Sequence, residues 1–292
     1  MSGFWGMPEL ASAHGGAIDR GMLLVHILML VVLTGWGVFF IMALVKFRGS
    51  RHPKADYAGL RGRWTIWTEG AIVAVKAAIL IGLSVPFWAA AIRTLPGPGE
   101  DAVEVRVVAQ QFVWNVHYPG QDGVFGETRP ELVDDAGGNP LGLDRSDPHG
   151  RDDIVRVNWL HVPVNRPVIV HLTSKDVVHG FSLPEFRVKQ DAIPGMSIPV
   201  SFTPTMTTEE FRERLRERAR REHGDDPEAL EARLAAIEDR HFEIVCTQLC
   251  GMGHYEMRGF LKVHSEEDYA AWLEEQAAAL PEDGDEVDDF WL

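Results

Sequence analysis

Cys246, Cys250, His254 and Met257 gather two thiols, an imidazole and a thioether into twelve consecutive residues, Cys246-Thr-Gln-Leu-Cys250-Gly-Met-Gly-His254-Tyr-Glu-Met257. Soft and borderline donors of these kinds are the ones copper takes. They include the only two cysteines of the chain, and a pair four apart can equally close a disulfide in an oxidising compartment. A structural disulfide, however, has no use for an imidazole and a thioether at fixed offsets beyond it. Attachment of a c-type haem needs C-x-x-C-H, which the chain lacks. Structural zinc takes four Cys or His ligands and leaves the methionine idle. Donor softness and spacing therefore favour copper, with more donors than one ion can comfortably use.

The segment resembles the binuclear CuA motif, C-x-E-x-C-G-x-x-H-x-x-M, of subunit II of the haem-copper cytochrome c oxidases, and it matches at every side-chain ligand. The resemblance implies that Cys246 and Cys250 bridge two copper ions, that His254 and Met257 are terminal ligands, and that Gln248 offers its backbone carbonyl. It also implies a second histidine from upstream. His179 is the candidate, because Ser174-Lys-Asp-Val-Val-His179-Gly-Phe-Ser-Leu-Pro-Glu-Phe-Arg-Val-Lys-Gln-Asp191-Ala-Ile-Pro-Gly195 resembles the family's strand and loop around its first ligand histidine. His161 and His171 lack that context. Hydrogen bonds from behind would orient each imidazole, and Asp191 with its neighbours is the candidate source. The family's glutamate between the cysteines is Gln248 here. A backbone carbonyl serves copper regardless of the side chain, but an amide is a weak ligand for the magnesium ion that this glutamate helps hold against subunit I. Magnesium is therefore not carried over with the copper.

Gln110-Gln-Phe112-Val-Trp114-Asn resembles the family's Q-W-x-W segment, in which an exposed tryptophan receives the electron from cytochrome c. Aligned through Gln111, that position is Phe112, and the second tryptophan is Trp114. Aromatic residues in strands are more often core than conduit. The function implied is that of the electron-accepting subunit of a respiratory haem-copper oxidase. It would take electrons from a c-type cytochrome and pass them to haem in subunit I, which reduces oxygen to water and pumps protons. The CuA subunit of a nitric oxide reductase would share anchor and motif. Nitrous oxide reductase is opposed by the membrane anchor, and a mononuclear copper carrier would not need so many donors.

The elements around these residues fit a membrane-anchored α + β chain: a two-helix transmembrane hairpin followed by a cupredoxin-like β-sandwich with an inserted helical hairpin. From Gly21 to Val45 the only ionisable residue is His26, and at about 1.5 Å per residue the run crosses a bilayer core. It is longer than a signal-peptide core, and Met1 to Asp19 carry no basic charge, so it is expected to be retained. A second span lies within 66–93, interrupted by Glu69, Lys76, Ser84 and Pro86. Glu69 and Lys76 are seven apart on one helix face, and a charge inside a span costs about 3 kcal/mol. They would either feed a proton path in subunit I, or sit at the cytoplasmic interface (Glu69) and pair inside the assembly (Lys76). The family often has a glutamate just before its Thr-Ile-Trp segment. Here Trp64 precedes Thr65-Ile66-Trp67, leaving Glu69 as a displaced substitute. Lys46, Arg48, Arg51, Lys54, Arg61 and Arg63 cluster around the 47–65 connection. The positive-inside rule then puts this loop in the cytoplasm of a bacterial-type cell, and residues 1–20, the copper domain and both termini outside.

From about residue 100 to 265, short β-rich runs alternate with Gly, Pro, Asn and Asp clusters. Val103–Val108, Ile154–Leu160, Val168–Leu172, Ser197–Phe202, Phe242–Cys246 and Gly259–Val263 read as strands. Residues 120–153 read as a long surface loop. Within 207–240, a Thr207/Glu210 capping box and Asp226-Pro227 announce two helices, with Leu230, Leu234 and Ile237 as a narrow apolar stripe. Residues 266–292 read as an acidic, disordered tail. The formal charge of −15 would steer a basic cytochrome toward the domain. No extended basic face outside the cytoplasmic loop suggests nucleic acid, and neither a nucleophile motif nor a phosphate loop is present.

Overall fold

A computed structural model describes residues 6–54, 57, 62–92 and 101–280. Arg61, Arg93, Glu100 and the acidic run 282–289 lie outside them. The chain divides into an anchor, Ala17–Leu95, and a second unit, Met1–Gly16 with Pro96–Leu292.

The anchor is helical. α1 runs Gly15–Lys46, six residues earlier than the apolar run alone indicates. α2, Arg63–Ile79, continues through a π-helical turn, Leu80–Ser84, into α3, Val85–Ile92. Pro86 cannot supply an N–H to the preceding turn and its ring crowds a regular helix, and the wider π turn ahead of it relieves that crowding. The most apolar stretches of both spans, of mean hydropathy 2.5 and 1.7, bury nothing against the rest of the chain.

The second unit is a sandwich of two five-stranded sheets. One sheet has the order β3-β2-β1-β5-β8, formed by Ile154–Val157, Val113–Tyr118, Val103–Gln110, Val168–Ser174 and Ile198–Phe202. The other, β4-β10-β9-β6-β7, is formed by Trp159–Pro163, Arg258–His264, Phe242–Cys246, His179–Leu183 and Val188–Ala192. Strand alternation builds the core: Val103, Val105, Val107 and Ala109 point in from β1, and Phe242 and Ile244 from β9. The run Ile154–Leu160 is not one strand. Asn158, at φ 62°, breaks it, and β3 and β4 fall in different sheets. Residues 120–153 are also more than a loop. Buried His117 and Asp153 pair at 2.5 Å, the Gly120 and Gly126 amides donate to Asp153, and Leu141 and Leu143 make a small core with Val155.

Two further segments join the sandwich. Residues 8–13 lie against it as a strap: the Ala11 amide donates to the Glu185 carbonyl at 2.8 Å, and the Thr205 amide donates to Ala11 at 2.9 Å. Glu9 pairs with Arg214 and Arg218 of the inserted hairpin. The inserted hairpin is α4, Thr208–His223, opened by the Thr207/Glu210 capping box, and α5, Pro227–Glu238, capped by Asp226. The acidic tail is corrected over half its length. Glu266–Ala278 form a helix, α6, capped by Ser265, which buries Tyr269 and Trp272 on the second sheet.

Candidate metal centre

The ends of three strands converge at one pole of the sandwich. His179 opens β6, Cys246 closes β9, and the loop from Cys246 turns back through a 3-10 turn at His254–Glu256 before Met257 leads into β10. One ligand atom each from His179, Cys246 and Cys250 lie within 4.8 Å of one another. The two Sγ atoms are 3.7 Å apart and both thiols are free. His254 Nδ1 is 3.5 Å from Cys250 Sγ, Met257 Sδ is 3.8 Å from it, and the Gln248 carbonyl oxygen is 3.2 Å from Cys246 Sγ. The loop thus brings the five residues of the motif together with His179 from the start of β6.

His179 is fully buried. Its Nε2 is 2.8 Å from Asp176 Oδ1, and its Nδ1 is 3.1 Å from Met257 Sδ and 4.0 Å from Cys246 Sγ. The carboxylate behind the imidazole is therefore Asp176, not Asp191, which sits across the β6–β7 ladder opposite Gly180. Asp176 Oδ2 accepts the Gln111 amide at 2.7 Å, and the Gln111 side chain donates to the Cys250 carbonyl at 2.6 Å. Burial pushes the Asp176 carboxyl up, but the bonds from His179, Gln111 and Val177 outweigh it and hold it below the ordinary range. Burial and the neighbouring Cys246 push the Cys250 thiol up to about 11. Without a cation this thiol keeps its proton, and a metal would displace it. A bare Nδ1 aimed at a thioether, beside two unbridged thiols, is an arrangement of lone pairs that suits a soft cation. The residues present fit copper.

The two aromatic candidates separate. Trp114 is wholly buried, 6.2 Å from the His179 ring and 5.5 Å from Phe181, so it cannot meet a partner at the surface. Among the described residues its indole N–H finds no acceptor. Phe112 is half-buried and lies over the ligand loop. A Cβ at Gly253 would come within 2.6 Å of its ring, and one at Gly251, where φ is +137°, within 3.1 Å. Leu249, Met252 and Tyr255 stand out around the same loop, 79%, 95% and 79% exposed. Asp176 and Gln111 escaped the motif reading. The one signal was a carboxylate three residues before the ligand histidine.

The chain is 32% identical over 278 residues to alternative cytochrome c oxidase subunit 2 of Bradyrhizobium diazoefficiens, a match spanning 94% of this chain and 85% of that one. It belongs to the cytochrome c oxidase subunit II family. The model of that family's periplasmic domain matches residues 144–211, a stretch that contains His179 and ends inside α4, where the helical insertion begins. Heme-copper oxidase subunit 2 of Aeropyrum pernix is 26% identical over 245 residues, 80% of this chain and 79% of that one. Among solved structures, the periplasmic domain of subunit II of cytochrome oxidase from Bradyrhizobium japonicum is similar at 23% identity, with a TM-score of 0.37 over 63% of this chain and 99% of that one. The protein is thus a membrane-anchored subunit of an oxidoreductase complex, with a cupredoxin-like domain whose Cys/His cluster fits a copper site.

Proposed function

We propose that this subunit accepts electrons from a c-type cytochrome at a binuclear CuA centre held by His179, Cys246, Gln248, Cys250, His254 and Met257, and passes them to haem in subunit I of an oxidase that reduces oxygen to water and pumps protons. The observation that carries this reading is the convergence of both free thiols, 3.7 Å apart, with the His179 Nδ1 lone pair and the Met257 thioether. Held by these residues, copper would supply a one-electron acceptor.

The chain's own residues do the rest. Donors at the ends of β6, β9 and β10 are fixed by neighbouring strands of one sheet of the sandwich, so they move little when charge changes. Asp176 keeps the His179 proton on Nε2, away from the metal side. Phe112, over Gly251 and Gly253, is the aromatic group placed to meet a donor at the surface, and Trp114 packs behind it against His179. A neutral Gln248 offers no carboxylate for magnesium.

The strap supports the sidedness. Residues 8–13 are hydrogen-bonded into the copper domain, so the segment ahead of the first span lies on the domain's own side. Two spans return the chain to that side, and the basic connection between them favours the cytoplasm. The copper domain then faces the periplasm.

The test is the copper content of the full-length chain in detergent, together with its optical and electron paramagnetic resonance spectra. Two coppers per chain with a seven-line hyperfine pattern are expected. One copper, or zinc with no visible absorption, would overturn the reading in favour of a metal carrier.

A further inference from the structure

We propose that the face of α2 bearing Lys76 is a docking surface inside the membrane, and that its occupant is a transmembrane helix of another chain presenting a carboxylate at the depth of Lys76. The continuous helix from Arg63 to Ile92 spans 30 residues, about 45 Å, which matches a bilayer with its headgroups. Lys76 comes thirteen residues after Arg63 and sixteen before Ile92. It therefore lies near the midplane, with about 15 Å of hydrocarbon on either side. A lysine near a helix end lifts its ammonium to the interface along its four-carbon stem. From the midplane the stem is too short.

Among the described residues, no carboxylate of this chain pairs with Lys76. The first span offers only His26 as an ionisable residue between Gly21 and Val45. Glu69 is seven residues from Lys76, about 10 Å along the axis and beyond ion-pair reach. The Lys76 neighbours Val73, Val75 and Leu80 are 65%, 57% and 63% exposed, as expected of a helix that has not met its partner. Charged side chains at such depth face a helix bundle and pair within it.

The chemistry of the occupant follows from charge complementarity. It must carry Asp or Glu opposite Lys76. About two helical turns nearer Trp64 and Trp67 it must carry a hydrogen-bond donor opposite Glu69, which shares the Lys76 face. The π-helical turn at Leu80–Ser84 begins one turn beyond Lys76, and such turns concentrate at functional places in helices.

The experiment purifies the oxidase through a tag on this subunit and measures haem recovered per tagged chain for the wild type, K76R, K76M and K76E. K76R keeps the charge and is expected to keep the haem. K76M leaves the partner's carboxylate unpaired and is expected to lower recovery about tenfold or more, and K76E is expected to lower it further. Methionine removes a charge and so eases insertion, and carbonate-resistant membrane content of the tagged chain checks that each variant is inserted. Full haem recovery with K76M, or equal losses with K76R and K76M, would overturn the proposal, because the charge of Lys76 would then not be what holds the partner. The inference rests on membrane anchoring, not on the copper reading. Absence of copper from every preparation would count against CuA while haem recovery still decided the docking face.

Discussion

Asp176 holds His179 from behind: its Oδ1 accepts a hydrogen bond from Nε2–H at 2.8 Å, so in the neutral ring Nδ1 turns its lone pair toward Met257 Sδ, 3.1 Å away. Two lone pairs at that distance repel unless something positive lies between or beside them. The same carboxylate accepts the backbone N–H of Gln111, whose side chain donates to the Cys250 carbonyl. One aspartate thus fixes the orientation of a ligand on β6 and ties the turn between β1 and β2 to the thiol loop.

Replacing Asp176 by Asn tests that double role. The amide oxygen can still accept from Nε2, but the NH2 group then faces the Gln111 N–H, donor against donor, at a cost of about 1–3 kcal/mol. Copper affinity is expected to fall about 10–100-fold, as when other outer carboxylates of metal-bound histidines are lost. Competition titration against a chelator of known affinity measures it. Unchanged affinity would mean that Trp114 and Phe181 packing alone orients the imidazole.

Phe112 and Gly253 make a second pair to separate. An alanine at Gly253 would press within 2.6–2.9 Å of the Phe112 ring, so G253A is expected to displace the ring, whereas F112A removes it and leaves the ligands in place. Stopped-flow reduction by a c-type cytochrome should slow about tenfold in F112A, the weight of one well-packed aromatic contact, with the copper spectrum unaltered. A spectrum altered in F112A would make this side chain part of the metal's support and not the donor's contact.

The ligand loop was legible in the sequence because its donors are local: Cys246 to Met257 lie in one short segment, and their chemistry narrows the metal before any fold is known. The alternating strands were legible too, β1 and β9 most clearly, because one face of each is buried. Asp176 was not, because choosing between it and Asp191 depends on which carboxylate faces His179 once β6 and β7 pair. The break at Asn158 was hidden for a related reason. Ile154–Leu160 looks continuous in hydrophobicity, and only a left-handed residue reveals that the chain changes sheets. The strap of residues 8–13 has no periodicity of its own, since it borrows its partners from Glu185, Thr203 and Thr205.

The helix at Glu266–Ala278 shows how composition misleads, and it yields a stability prediction. Acidic residues dominate its exposed side, yet Trp272 is 8% exposed, stacks 4.3 Å from His161 and meets Tyr118 edge-on at 5.2 Å. W272A is expected to cost about 3–5 kcal/mol, the range for a large aromatic removed from a core. A residue in a solvated tail would cost no more than about 0.5 kcal/mol. Urea denaturation of the intact chain followed by far-ultraviolet circular dichroism distinguishes the two.

His161 and His264 lie beneath the same helix, with Nδ1 of the first 2.8 Å from Nε2 of the second. Burial, then the neighbouring His264 and Lys262, lowers His161 to about 3, and burial with Lys262 lowers His264 to about 4. Unfolded, both would take up protons near 6.5. Between that value and about 4 the unfolded state holds more protons than the folded one, so stability falls as the pH drops through this window and is flat above it. Each histidine contributes a slope on the order of 1.4 kcal/mol per pH unit once its unfolded form is protonated. Carboxylates add their own acid sensitivity, so the informative quantity is the difference between the wild type and the double variant H161N/H264Q, whose amides can preserve the hydrogen bond without titrating. The variant is expected to lose less stability than the wild type between pH 7.5 and 5 in urea titrations. Equal losses would show that these two histidines take up their protons without unfolding the sheet they cover.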